Sequence, residues 1–173
     1  MNKNAIKTYA IWARNQLISR VSQKAYEYGV EKENSIPFNE DSIRGVLLSS
    51  EEKNKRQQLI REIRNKGYDQ VIEEVAYTWF NRFIALRYME VNNYLPNKVR
   101  LFTNENNEFK PQIIEEALHI DIPGLDKNKV FELKEANNNE ELYKELLLAA
   151  CNDMSLYLPG MFKPIIDIRD KSS

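Results

Sequence analysis

The chain has 173 residues, 42 % of them apolar and 10 % aromatic, and its 25 basic and 26 acidic side chains leave a net charge of −1. The aromatic load excludes disorder over most of the length, and a chain of this size buries roughly 70 % of its unfolded surface without staples. Five Gly, no two closer than 16 positions, exclude a G-x-G loop, a Walker loop and a nucleophile elbow, while a single Cys (Cys151) and a single His (His119) exclude a disulfide framework and a Cys/His metal site.

Residues 4–28 read as a helix, because Ile6, Tyr9, Ala10, Ala13, Leu17, Val21, Ala25 and Tyr28 recur at spacings of three and four. Gly29 is placed to end it. The polar stretch 30–42 contains Pro37 and reads as a loop. A short amphipathic helix is expected over Asp41–Leu48, started by Asn39 or Asp41. Ser50 opens the next helix, with Glu51 and Glu52 in the favoured first turn, Leu59, Ile60 and Ile63 as its apolar stripe, and Gly67 at its end. Asp69 reads as the N-cap of the strongest element, a helix of about 69–92 that is apolar on nearly every face from Val75 onward. Such a helix belongs inside a bundle. It is not a membrane span, because Arg82 and Arg87 would each cost about 2.5–3.5 kcal/mol near the bilayer centre.

Beyond Pro96 the short β-like run Val99–Phe102, an Asn-rich turn and Phe109 allow either a small hairpin near 98–110 or plain loop. Pro111 suits the first turn of a short helix through Leu118. Asp126–Ala136 reads as a further short helix, and the apolar Leu142–Leu158 as another that stops at Pro159-Gly160. Ile165, Ile166 and Ile168 leave an apolar tail with little chain to cover it. The fold class is therefore mainly α: a helical bundle around a long buried central helix. Residues 1–100 carry 17 basic against 12 acidic side chains and residues 101–173 carry 8 against 14. A basic bundle core over 1–96 and an acidic helical half over 97–173 packed on it, as one continuous domain, follow from that asymmetry. The N-terminus has no apolar signal region and the lone thiol fits a reducing compartment, so a soluble cytoplasmic protein is expected.

Lys53, Lys55, Arg56, Arg61, Arg64 and Lys66 crowd one helix with only Glu62 opposing, and Arg14 and Arg20 add charge on the first helix. Such a face either meets phosphates or is simply solvated. Thr78, Asn81, Arg82 and Arg87 form a polar strip on the apolar helix. It is either a buried ion-pairing strip or a contact to a neighbouring domain. Glu73 and Glu74 point about 100° apart and make a poor catalytic pair. His119 and Cys151 lack the neighbours that ligation or nucleophilic catalysis requires. No catalytic, cofactor-binding or metal site is found.

Three segments resemble a known family: Tyr9–Ile18 (YAIWARNQLI), Glu73–Pro96 (EEVAYTWFNRFIALRYMEVNNYLP) and Asn139–Phe162 (NEELYKELLLAACNDMSLYLPGMF). They are similar, in order, to the N-terminal helical region of the PglX family of adenine-specific DNA methyltransferases in BREX phage-defence systems. That region is itself similar to the N-terminal domains of type I restriction-modification methylation subunits. The family's Gly-rich loop for S-adenosylmethionine and its Asn-Pro-Pro-Tyr tetrapeptide are not in this sequence. The resemblance thus implies an accessory, DNA-clamping or docking fragment of a larger protein that uses S-adenosylmethionine. Its implied partners are double-stranded DNA, its own downstream methyltransferase domain and other defence proteins, with no membrane and no metal. A module that touches protein only, through 139–162 and the apolar tail, is the alternative.

Overall fold

The computed structural model describes residues 3–162, so the Ile165, Ile166 and Ile168 tail lies outside the described residues. In chain order the elements are α1 (Lys3–Glu27), β1 (Ser42–Ile43), β2 (Val46–Leu47), α2 (Ser50–Lys66), α3 (Tyr68–Val91), α4 (Gln112–Glu115), α5 (Lys127–Glu135) and α6 (Asn139–Tyr157). The mainly α expectation holds. The chain forms two compact units that divide between Phe80 and Asn81, within α3.

The first unit has a core of Ala25, Val30, Ile60 and Ile72, with Ile18, Val21, Tyr28, Phe38, Leu59, Ile63 and Tyr68 packed against it. α1 ends as the sequence indicates. The Gly29 N–H bonds the Tyr26 carbonyl and the Val30 N–H bonds that of Ala25, a Schellman turn that needs positive φ at Gly29 (+66°). A Cβ there would also sit 2.7 Å from Ile36 Cδ1. α2 begins with a capping box: the Ser49 hydroxyl accepts the Glu52 N–H and the Glu52 carboxylate accepts the Ser49 N–H.

The expected helix over Asp41–Leu48 is instead a two-stranded antiparallel hairpin, with Ser42 opposite Leu47 and Ile43 opposite Val46. Its loop residues Arg44 and Gly45 both have positive φ, +49° and +83°. A glycine inside a helix costs about 1 kcal/mol relative to alanine, whereas the same glycine between two β-branched residues closes a tight hairpin. Arg44 secures it by stacking 3.7 Å from the Tyr26 ring centroid and by pairing with Glu31 at 2.9 Å.

α3 matches the expected 69–92 to within a residue at each end but starts at Tyr68. Asp69 lies in its first turn, and the Val71 N–H bonds the Gly67 carbonyl. Val71, Ile72, Ala76, Arg82, Leu86 and Glu90 are buried, whereas Tyr77, Ile84, Tyr88 and Val91 are exposed. The helix is thus buried on one face, not all round, and the apolar residues on its other face meet no core among the described residues.

The second unit is built on α6, against which α4 and α5 pack. Leu142, Leu146, Cys151 and Met154 of α6 are fully buried, as are Ile113, Val130 and Phe162. Asp126 caps α5 and Asn138 caps α6. No strand forms near 98–110. The amides that a hairpin would pair are taken by Glu90: its carboxylate accepts the N–H groups of Leu101 (2.6 Å) and Phe102 (2.7 Å) and the Thr103 hydroxyl (2.7 Å). Asn104 then turns the chain by accepting the N–H groups of Asn106 and Glu108 on its side chain.

Candidate nucleic-acid interface

The eight basic residues singled out in the sequence separate into three groups once folded. Arg56 is only 2 % exposed. Its guanidinium donates to the carbonyls of Tyr28 (2.7 Å), Pro37 (2.9 Å), Phe38 (3.2 Å) and Ile36. Burial pushes its pKa down, and the nearby Glu40 charge opposes that. Arg56 is a staple for the loop that follows α1, not a surface cation. Lys55 is also buried, against Glu51 one turn earlier.

A second group is neutralised locally. Lys53 pairs with Asp41 at 2.7 Å. Lys66 sits between Glu74 (2.9 Å) and Glu62 (3.4 Å), and its hydrogen bond to Glu74 is the main cause of its raised pKa. Arg14 pairs with Glu73 at 3.1 Å, in a shallow depression lined also by Asp69, Gln70, Glu74 and Tyr77. Its carboxylates are each paired, Glu73 with Arg14, Glu74 with Lys66 and Asp69 with Lys32, so it offers no free cation to a phosphate.

Arg20, Arg61 and Arg64 remain. All three are exposed, and none has a carboxylate within ion-pair distance among the described residues. Arg61 and Arg64 are three apart on α2 and flank one ring: their Cζ atoms lie 5.5 and 5.2 Å from the Phe38 centroid. Phe38 is itself held by its packing on the core and by the Arg56 bond to its carbonyl. Phe38 was not singled out in the sequence reading. Its only signal there is its place after Pro37, in a loop otherwise too polar to bury an aromatic.

The polar strip on α3 is dispersed. The Thr78 hydroxyl donates to the Glu74 carbonyl one turn back. Asn81 is half-buried. Arg82 is 3 % exposed, with its guanidinium 5.7 Å from the Phe162 ring centroid. Arg87 pairs with the buried Glu90 and reaches the Thr103 hydroxyl at 3.2 Å. Arg82 thus belongs to the interior of the second unit, and Arg87 lies half-buried at its edge. Among the described residues no group of His, Cys, Asp and Glu could hold a metal ion, and no helix is long and apolar enough to cross a membrane.

Over 96 % of its length the chain is 32 % identical to the adenine-specific methyltransferase PglX of Lacticaseibacillus casei (strain Zhang). It is 30 % identical, over the same share, to the adenine-specific methyltransferase BrxX of Escherichia coli O9:H4 (strain HS). The chain is homologous to one segment of these methyltransferases. It spans 16 and 15 % of their respective lengths, and the resemblance read from the three segments holds. No protein-family model matches it, and no solved structure does.

Proposed function

We propose that the chain is the accessory, DNA-contacting part of an adenine-specific DNA methyltransferase that uses S-adenosylmethionine in a cytoplasmic, BREX-like phage-defence system. The catalytic chemistry belongs to a separate part of the longer polypeptide, because the residues present supply neither a phosphate-cradling loop nor an adenine-gripping tetrapeptide. The observation that carries the DNA contact is the exposed set Arg20, Arg61 and Arg64, which meet no carboxylate among the described residues. Arginine reaches phosphate oxygens without reading sequence, so the contact positions the duplex and does not select it. If each of these three arginines met its own phosphate, together they would contribute about −2.7 to the log–log salt slope. Fluorescence anisotropy with a labelled duplex at several salt concentrations tests this. A folded chain that binds no duplex at tens of micromolar in low salt rules the reading out.

A second reading is supported by α1, whose first half leaves Ile6, Tyr9, Ile11 and Trp12 about half exposed, with the Tyr9 and Trp12 rings 5.8 Å apart. Apolar side chains gathered on one exposed stretch mark a protein contact: the methyltransferase domain of the same polypeptide, or another defence protein. Charge reversal at Arg61 and Arg64 and, separately, Ile6→Ser with Trp12→Ser discriminate. Duplex binding lost in the first with assembly intact supports the DNA contact, and assembly lost in the second supports the interaction module.

A further inference from the structure

We infer that Arg61 and Arg64 bracket one phosphate group of a nucleic-acid backbone, with Phe38 as the plate that holds both guanidiniums. The inference rests on the DNA-contact reading and specifies its site. Residues three apart on a helix are surface neighbours, with Cβ atoms about 5–6 Å apart. Here both side chains converge on the same ring, at 5.5 and 5.2 Å from its centroid. Both guanidiniums are held by one ring, and like charges repel unless an anion joins them. The ring offsets part of that repulsion, because its face attracts both cations. It also restricts two flexible side chains, so less freedom is lost when an anion arrives.

The plate is rigid. Phe38 packs on the core of the first unit, and its carbonyl and that of Pro37 are tied to Arg56. Nothing else on α2 competes for the anion, since Lys53, Lys55 and Lys66 already face Asp41, Glu51, and Glu62 with Glu74. Glu62, between the two arginines in sequence, is turned to Lys66. What is presented is a pair of planar forks, the geometry suited to phosphate oxygens.

The salt dependence of duplex binding separates one shared phosphate from two. Each phosphate neutralised contributes about −0.9 to the log–log slope. A shared phosphate stays neutralised while either arginine remains. Arg61→Ala and Arg64→Ala alone should therefore weaken binding with little change in slope, and the double variant should lose about 0.9. A loss of about 1.8 in the double variant means two separate phosphates and overturns the bracket. Unchanged binding in the double variant also overturns it, yet leaves the DNA reading standing on Arg20. Absence of any binding by the unaltered chain removes both. Phe38→Leu keeps an apolar side chain in the core and should weaken binding about two- to fivefold at unchanged slope. Titration with inorganic phosphate alone identifies the source of the phosphate. Shifts of the Arg61 and Arg64 Nε–H resonances at the same concentration as duplex would make this a free-anion site and refute the backbone assignment.

Discussion

Arg56→Met is the sharpest test of how the basic helix is built, because it keeps most of the side-chain volume and removes only the fork. In the folded chain that fork satisfies four carbonyls, of Tyr28, Ile36, Pro37 and Phe38, in a place where water has little access. A hydrogen bond from a charged donor contributes about 1.5–3 kcal/mol, and a buried acceptor left unsatisfied costs about 1–3 kcal/mol. Simple addition would exceed 6 kcal/mol. Two effects reduce it: the carbonyls belong to one loop that can relax together, and removing the guanidinium recovers the desolvation penalty that lowers its pKa. We expect a net loss of about 3–5 kcal/mol, a large fraction of the 5–15 kcal/mol typical of a domain. Urea unfolding followed by tryptophan fluorescence reads the right unit, since Trp12 and Trp79 are the two tryptophans and both precede Asn81. Arg56→Lys supplies one point charge in place of a fork and should recover at most half of the loss. A destabilisation of Arg56→Met below about 1 kcal/mol, within the range of ordinary surface changes, refutes the staple.

In the second unit, Glu90→Gln must turn an amide NH2 toward donors on one side or the other, and should cost about 3 kcal/mol. Hydrogen exchange should show the Leu101 and Phe102 amides losing protection, and unchanged protection would refute the role given to Glu90. The Tyr143 hydroxyl, which donates to the Leu101 carbonyl at 3.0 Å, has its pKa pushed up to about 12, chiefly by burial and then by the Glu90 charge. The folded state thus favours the protonated phenol. That contribution to stability is complete below the ordinary value of 10 and is lost as pH rises from 10 toward 12. Tyr143→Phe should flatten the stability profile across that window in thermal melts followed by circular dichroism, and an equally steep profile in the variant contradicts the assignment. Ile6→Ser with Trp12→Ser should leave the stability of the isolated chain within about 0.5 kcal/mol, because both side chains are half exposed. A larger loss in urea unfolding would mean that the α1 stripe is already covered in solution.

The helices were legible because capping and period agree with burial at most positions. Gly29, Ser49 and Asn138 each act at a helix end where short-range chemistry decides the outcome. The failures share one cause: a long-range partner outweighed a local signal. Ile43 and Val46 lie within a stretch with an amphipathic helical reading, but Arg44 finds Tyr26 and Glu31 far back in the chain, and Gly45 supplies the turn. Val99–Phe102 has β character, but Glu90 captures its amides before another strand can. The apolar composition of α3 pointed to burial on every side, yet composition says nothing about how many neighbours the other elements supply. Tyr77, Ile84 and Tyr88 are the remainder. For the basic face, the sequence showed the cations of α2 but not their pairing, since a run of cations does not show which of them will meet a carboxylate.

That pairing changes what the basic half of the chain can do. The excess of basic residues in 1–100 suggests a broad field, but an ion pair formed inside the chain releases no counterion from DNA. Only unpaired cations enter the salt slope, and of the eight singled out in the sequence these are Arg20, Arg61 and Arg64. On the proposed DNA contact, so few phosphates put the affinity of this segment alone in the weak, non-specific range of about 10⁻⁴–10⁻⁶ M. Weak contact suits a segment that makes up about one-sixth of its relatives' length. Joined to a domain that already holds the duplex, it would act at an effective concentration in the millimolar range for a short linker. On that reading, one bracketed phosphate and one further arginine would bias how the duplex lies without slowing its release.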